Sequence, residues 1–88
     1  MPYIKQELRQ ELEPLVAGFF DGPIESPGEL NYLISQLCLA RLNTVGKVNY
    51  TALNEIIGVL ESAKLEFYRR QVSEYEDDAI DANGDIYE

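Results

Sequence analysis

The residues of this sequence best suited to binding chemistry are polar side chains that interrupt apolar helical patterns. Lys64 and Gln71 fall among the apolar residues on one face of the last predicted helix, and Tyr68 and Tyr75 flank them. Arg41 falls near the middle of the apolar arc of the preceding helix. Cationic groups bind anions, an amide donates and accepts hydrogen bonds, and tyrosine supplies a ring and a hydroxyl. These five residues are the predicted ligand-binding residues.

The basic residues of this region also have structural interpretations. An unpaired buried lysine is costly, so Lys64 either pairs with Glu61, extends into water, or meets an anionic ligand or partner. Arg41 either favours the carboxyl end of its helix from the last turn or belongs to the ligand site. Arg69 and Arg70 have glutamates three or four residues away, which is the spacing of ordinary surface ion pairs. The sequence alone leaves these alternatives open.

The composition excludes most common catalytic and metal-binding constellations. The 88 residues include no histidine and a single cysteine, Cys38, so neither a histidine-dependent triad nor a Cys/His zinc site can form. The sequence also has no phosphate-binding loop and no dinucleotide fingerprint. We therefore expect no enzymatic activity, no metal site and no cofactor.

The net charge of −9 is concentrated near the carboxyl end. Seven acidic residues and no basic residue lie from Glu74 onward. Such a surface disfavours direct binding of nucleic acid or of an anionic membrane. The sequence shows neither a signal peptide nor a transmembrane run. We expect a cytoplasmic protein with an acidic tail over about residues 79–88.

Local signals predict the elements that must position these side chains. Apolar residues recur at three and four over about residues 4–20, and Pro14 predicts either a kink there or two separate segments. Ser26 and Glu29 form a capping-box pattern around Pro27, so a second helix should begin there, run to about Leu42 and stop before Gly46.

A third helix should begin at Asn49 and reach the neighbourhood of Asp78, a length of about 45 Å. Asn83 and Gly84 form a helix-stop pair. The predicted fold class is all-α: a single domain over residues 1–88, built as a small bundle of three to four helices with a long C-terminal helix and a short acidic tail.

The same patterns predict self-association. The second helix is apolar over a wider arc than one neighbour needs, and the third is longer than a domain of this size. The chain has no disulfide or zinc site to support a thin core. We therefore predict a homo-oligomer, by default a two-fold dimer. Its interface would include four residues of the third helix: Leu60, Leu65, Phe67 and Val72.

Three stretches carry a family resemblance: PGELNY at Pro27 to Tyr32, ESAKLEFYRR at Glu61 to Arg70, and NGDIY at Asn83 to Tyr87. Together they resemble a family of small uncharacterised bacteriophage proteins that form a domain of unknown function. The resemblance implies an accessory protein in the cytoplasm of a host cell. By analogy with other small phage proteins, the resemblance implies a protein that binds and disables host components or takes up nucleotide signals of host immunity.

Two functional hypotheses follow from the residues and the resemblance. In the first, a non-enzymatic homo-oligomer binds a small anionic ligand, such as a nucleotide immune signal, and thereby counters host defence. In the second, the acidic end engages a basic surface of a host protein and inhibits it, in the manner of a nucleic-acid mimic. Neither hypothesis involves direct binding to nucleic acid or to a membrane.

Overall fold

The computed structural model describes residues 4–87, and their regular structure is entirely helical. There are three helices, of which the last is 34 residues long. This long helix contains a π-helical segment, here called the π-turn. The elements are α1 (Gln6–Asp21), α2 (Pro27–Val45), α3 (Tyr50–Phe67), the π-turn (Tyr68–Val72) and α4 (Ser73–Asn83). The predicted all-α class and the long C-terminal helix are confirmed.

Helix α1 passes through its proline without interruption. Pro14 lies inside the helix, and the backbone on both sides keeps helical geometry. Proline removes one backbone donor, but the hydrogen bonds of the flanking turns continue the helix. The chain therefore forms one first helix and not the two separate segments that were the alternative.

The amino end of α2 is held by the predicted capping residues. The Glu29 backbone N–H donates to Ser26 Oγ at 3.1 Å. The Glu29 carboxylate accepts a hydrogen bond from the backbone N–H of Glu25 at 2.9 Å, one residue before the cap. Both bonds satisfy backbone donors at the start of the helix. The predicted helix start is confirmed.

The junction between α2 and the long helix also follows local signals. Gly46 has φ +78°, the left-handed conformation that ends helices, and its N–H donates to the carbonyl of Leu42 at 3.0 Å. The Asn49 side chain accepts a hydrogen bond from the N–H of Ala52 at 2.8 Å, as an N-cap does. At the other end Gly84 has φ +87° and follows the last helical residue. All three signals act where the sequence predicts them.

The predicted acidic tail is partly helical. Helix α4 extends to Asn83, so residues 79–83 belong to it. Ala79, Ile80 and Ala82 continue the helical pattern before Gly84 ends it. Beyond that glycine, the Tyr87 N–H donates to the Asp85 carboxylate at 2.8 Å. Glu88, the end of the predicted tail, lies outside the described residues.

The chain divides into two units, Met1–Leu37 and Cys38–Glu88. In the described part of the first unit no residue is buried, and in that of the second only Ala52 is, at 5% exposed. Within residues 4–87, neither unit taken by itself encloses a hydrophobic core. Among residues 4–87 no helix has the length and apolar character needed to cross a membrane.

Candidate functional site on the long helix

The π-turn is the most unusual local feature of the long helix. The N–H of Ser73 donates to the carbonyl of Tyr68, five residues earlier, where an α-helix would bond four residues back. No proline or glycine lies between Leu60 and Ala82, so the common causes of helix distortion are absent from this segment. Single π-turns inside α-helices occur frequently at functional sites. The side chains that this turn brings together are therefore candidates for a functional site.

The π-turn inserts one extra residue and so changes the facing of everything beyond it. Successive α-helical residues are about 100° apart, so one inserted residue rotates the following segment back by about 100°. Tyr68 and Glu76 would be about 80° apart in a regular helix, but the π-turn reduces this to about 20°. The Tyr68 hydroxyl accordingly donates a long hydrogen bond of 3.4 Å to Glu76 Oε1.

The same rotation affects Tyr75, which the sequence places on the face of Tyr68. In a regular helix the two residues would be about 20° apart, whereas the π-turn separates them by about 120°. Tyr75 is exposed. The structure thus puts Glu76 beside Tyr68, where the sequence suggested Tyr75. The sequence did not predict Glu76 as a site residue, because the side of the helix on which it lies depends on the extra residue of the π-turn.

Lys64 makes the ion pair that was one of its predicted alternatives. Its Nζ lies 3.4 Å from Glu61 Oε1, and the two side chains are 68% and 57% exposed. An exposed pair of this kind contributes little to stability, because water and salt screen it. The ammonium group remains open to solvent and to ligands. Pairing and ligand binding are therefore compatible for Lys64.

The two arginines of the π-turn differ from each other. Arg70 Nε lies 3.7 Å from Glu66 Oε1, so the predicted surface ion pair is confirmed for this residue. Within residues 4–87 no ion pair involves Arg69. The guanidinium groups belong to consecutive residues and therefore point in different directions around the helix. They do not form a joint clamp for an anion.

The five predicted ligand residues do not all meet in one chain. Lys64, Tyr68 and Gln71 lie within the π-turn or the helical turn before it. Tyr75 is rotated away from Tyr68, as described above. Arg41 lies near the end of α2, and in the described part of the chain no hydrogen bond or ion pair joins it to the long helix. Within one chain the candidate site therefore comprises three of the five residues, together with Glu76.

The π-turn also aligns two apolar segments of the long helix. Before the turn and after it, apolar residues recur every three or four positions, but the gap between Phe67 and Val72 is five. In a regular helix these two residues would be about 140° apart, and the extra residue reduces this to about 40°. We call the resulting surface the apolar stripe: Leu53, Ile56, Leu60, Ala63, Phe67, Val72, Tyr75, Ala79 and Ala82.

The stripe contains three of the four predicted interface residues. Leu60, Phe67 and Val72 belong to it, and Leu65 does not, because a separation of two residues places it about 160° away from Phe67. Phe67 is 63% exposed and Leu65 is 56% exposed, so their exposure alone does not distinguish them. Whether either residue lies in an interface stays a prediction. The gap of five residues between Phe67 and Val72, in a pattern otherwise spaced by three or four, was the sequence signal that the two apolar segments are aligned by an extra residue.

Comparisons with known proteins identify the family but no activity. Searches of curated proteins and of solved structures gave no significant match. Residues 1–86 match the family described as Domain of unknown function (DUF6899). This match covers nearly the whole chain. The protein therefore belongs to the DUF6899 family.

Proposed function

We propose that this protein is a non-enzymatic homo-oligomer that binds a small anionic ligand, such as a nucleotide signal, at an interface between copies. The observation that carries the proposal is the juxtaposition of the uncovered apolar stripe with Lys64 and Tyr68 at its edge. A second copy would cover the stripe. The resemblance to bacteriophage proteins supports a role in the host cytoplasm, where removal of an immune signal would counter defence.

The chemistry of the site suits a ligand with both negative charge and a flat ring. Lys64 offers a solvent-accessible ammonium, held near the helix by Glu61. Tyr68 offers a half-exposed ring whose hydroxyl is oriented by Glu76. A nucleotide has phosphates for the first group and a base that stacks on the second. In this proposal, assembly brings Arg41 and Tyr75 of a second copy to the ligand site.

Removal of the Lys64 ammonium is expected to weaken ligand binding. A charge-assisted hydrogen bond contributes about 1.5–3 kcal/mol, so Lys64→Ala should raise the dissociation constant by about tenfold or more. Isothermal titration calorimetry with cyclic dinucleotides and ADP-ribose derivatives measures this change. Lys47→Ala, which removes a lysine of the α2–α3 loop, is the matched control and should bind like the wild type. Absence of saturable binding to every nucleotide tested would contradict the proposed ligand class.

One observation favours a second candidate function, which is inhibition of a host protein through a basic surface. The segment from Glu74 to Asp85 has six acidic residues and no basic one. Within the described residues none of these carboxylates forms an ion pair. Unpaired exposed carboxylates produce a negative potential that steers a basic partner and imitates the phosphates of nucleic acid.

Neutralising part of this acidic segment tests the second function. The triple variant Asp77→Asn, Asp78→Asn, Asp81→Asn should lose most of the capture of basic host proteins, and capture by the wild type should fall steeply with salt. Quantitative pull-down from bacterial lysate at several salt concentrations measures both effects. The control replaces three α1 carboxylates, Glu7, Glu11 and Glu13, with glutamine, and equal capture by all variants would exclude this function.

A further inference from the structure

We infer that the long helices of two copies pair antiparallel along the apolar stripe, with their π-turns at the two-fold axis. This inference rests on the self-association proposed above and specifies its partner, direction and register. It commits to a second copy of this chain as the occupant of the stripe. Three features of the long helix support it: the alignment of the stripe, the distribution of charge along the helix, and the positions of the charged side chains at the edges of the stripe.

The first feature is that the π-turn keeps the stripe on one face. From Leu53 to Ala82 the stripe runs for about 45 Å, and its two halves face the same way only because of the extra residue. A π-turn replaces well-formed α-helical hydrogen bonds with a rarer geometry. A straight partner of similar length is the surface that needs both halves aligned. A second long helix meets this requirement.

The second feature sets the direction of pairing. The segment Tyr50–Val72 carries three acidic and three basic residues, whereas Ser73–Asn83 carries five acidic residues and no basic one. A parallel pair would place the two acidic segments side by side, where like charges repel. An antiparallel pair separates these segments and also opposes the two helix dipoles. Charge therefore favours the antiparallel arrangement.

The third feature sets the register. Counted at about 100° per residue with one extra residue in the π-turn, Lys64 and Glu76 lie at one edge of the stripe, and Arg70 and Asp78 lie at the other. In an antiparallel pair related by a two-fold axis, each edge faces the same edge of the other copy. An axis at Val72 brings Lys64 toward the partner's Glu76 and Arg70 toward the partner's Asp78. Attraction across both edges then accompanies burial of the apolar stripe.

This register also explains how the predicted ligand site is assembled. With the axis at Val72, the partner's Tyr75 lies opposite the first residues of the π-turn. The π-turn rotates Tyr75 away from Tyr68 in its own chain, and the pairing returns the equivalent tyrosine from the other copy. The site at Lys64, Tyr68 and Gln71 would thus be incomplete without the partner.

Single-cysteine cross-linking tests the direction and register directly. In a Cys38→Ala background, Val72→Cys should form a disulfide-linked dimer with itself, because the residue lies at the axis. Ala63→Cys and Ala82→Cys should each remain uncross-linked alone and should cross-link when the two variants are mixed. Non-reducing electrophoresis after mild oxidation measures all four results. Circular dichroism of each variant confirms that the helices are intact.

The outcomes separate this inference from the function on which it rests. If Ala63→Cys and Ala82→Cys each cross-link alone, the helices are parallel and the inference is wrong. A dimer by light scattering in which none of these cysteines cross-links also overturns the inference, because the stripe is then not the interface. If the unsubstituted chain is monomeric at micromolar concentration, the proposed self-association itself fails.

Discussion

The wild-type chain is expected to scatter light at micromolar concentration as a dimer of twice its 10.0 kDa mass, and Phe67→Asp is expected to make it monomeric. Phe67 lies in the apolar stripe and is 63% exposed in its own unit. Loss of a buried phenylalanine alone costs about 3–5 kcal/mol, and a two-fold interface contains the change twice. The dissociation constant should therefore rise at least about a thousandfold, which corresponds to about 4 kcal/mol.

Leu65→Asp is the matched control for this experiment. Leu65 is a large apolar residue of similar exposure on the same helix, but it faces about 160° away from Phe67. The variant should therefore remain a dimer, measured by multi-angle light scattering over a range of concentrations. If Leu65→Asp dissociates the protein as strongly as Phe67→Asp does, the stripe is not the interface. A monomeric wild type would also remove the basis of the interfacial ligand site.

Insertion of one alanine between Arg69 and Arg70 is expected to have the second large effect. One more residue in the helix rotates everything beyond it by about 100°. The two halves of the stripe then face different directions, and the Tyr68–Glu76 hydrogen bond is lost. The far-ultraviolet circular dichroism should stay helical while light scattering shows dissociation by at least about a hundredfold, or about 2.7 kcal/mol.

Two further variants show whether the extra residue or the arginine is responsible. Arg69→Ala keeps the chain length and removes a side chain that forms no ion pair within residues 4–87, so it should remain a dimer. Deleting Arg69 instead lets the π-turn close as a regular α-helix with one residue fewer, in which Phe67 and Val72 stay about 40° apart, so dimerisation should be retained. Equal dimerisation of the insertion variant and the wild type would show that the alignment of the two halves has no role in assembly.

The helix boundaries were predictable because they depend on contacts between residues close in sequence. Ser26 and Asn49 bond to backbone groups three residues away, and Gly46 supplies a conformation that other residues rarely adopt. The ion pairs of Lys64 and Arg70 span three and four residues and were visible for the same reason. Pro14 was less predictable, because loss of one donor is a cost that the surrounding helix can absorb.

The amino-acid sequence by itself determined the helical class, the points where helices begin and end, and the exclusion of histidine chemistry, since each depends on composition or on neighbours within one turn. The facing of residues beyond Tyr68 required the structure. A switch from a four-residue to a five-residue hydrogen bond at Ser73 changes no residue type, yet it rotates all of α4 by about 100°. That rotation brings Glu76 to Tyr68 and aligns Val72 with Phe67. Each residue adds about 100° of rotation about the helix axis, so one extra residue changes the direction of every later side chain.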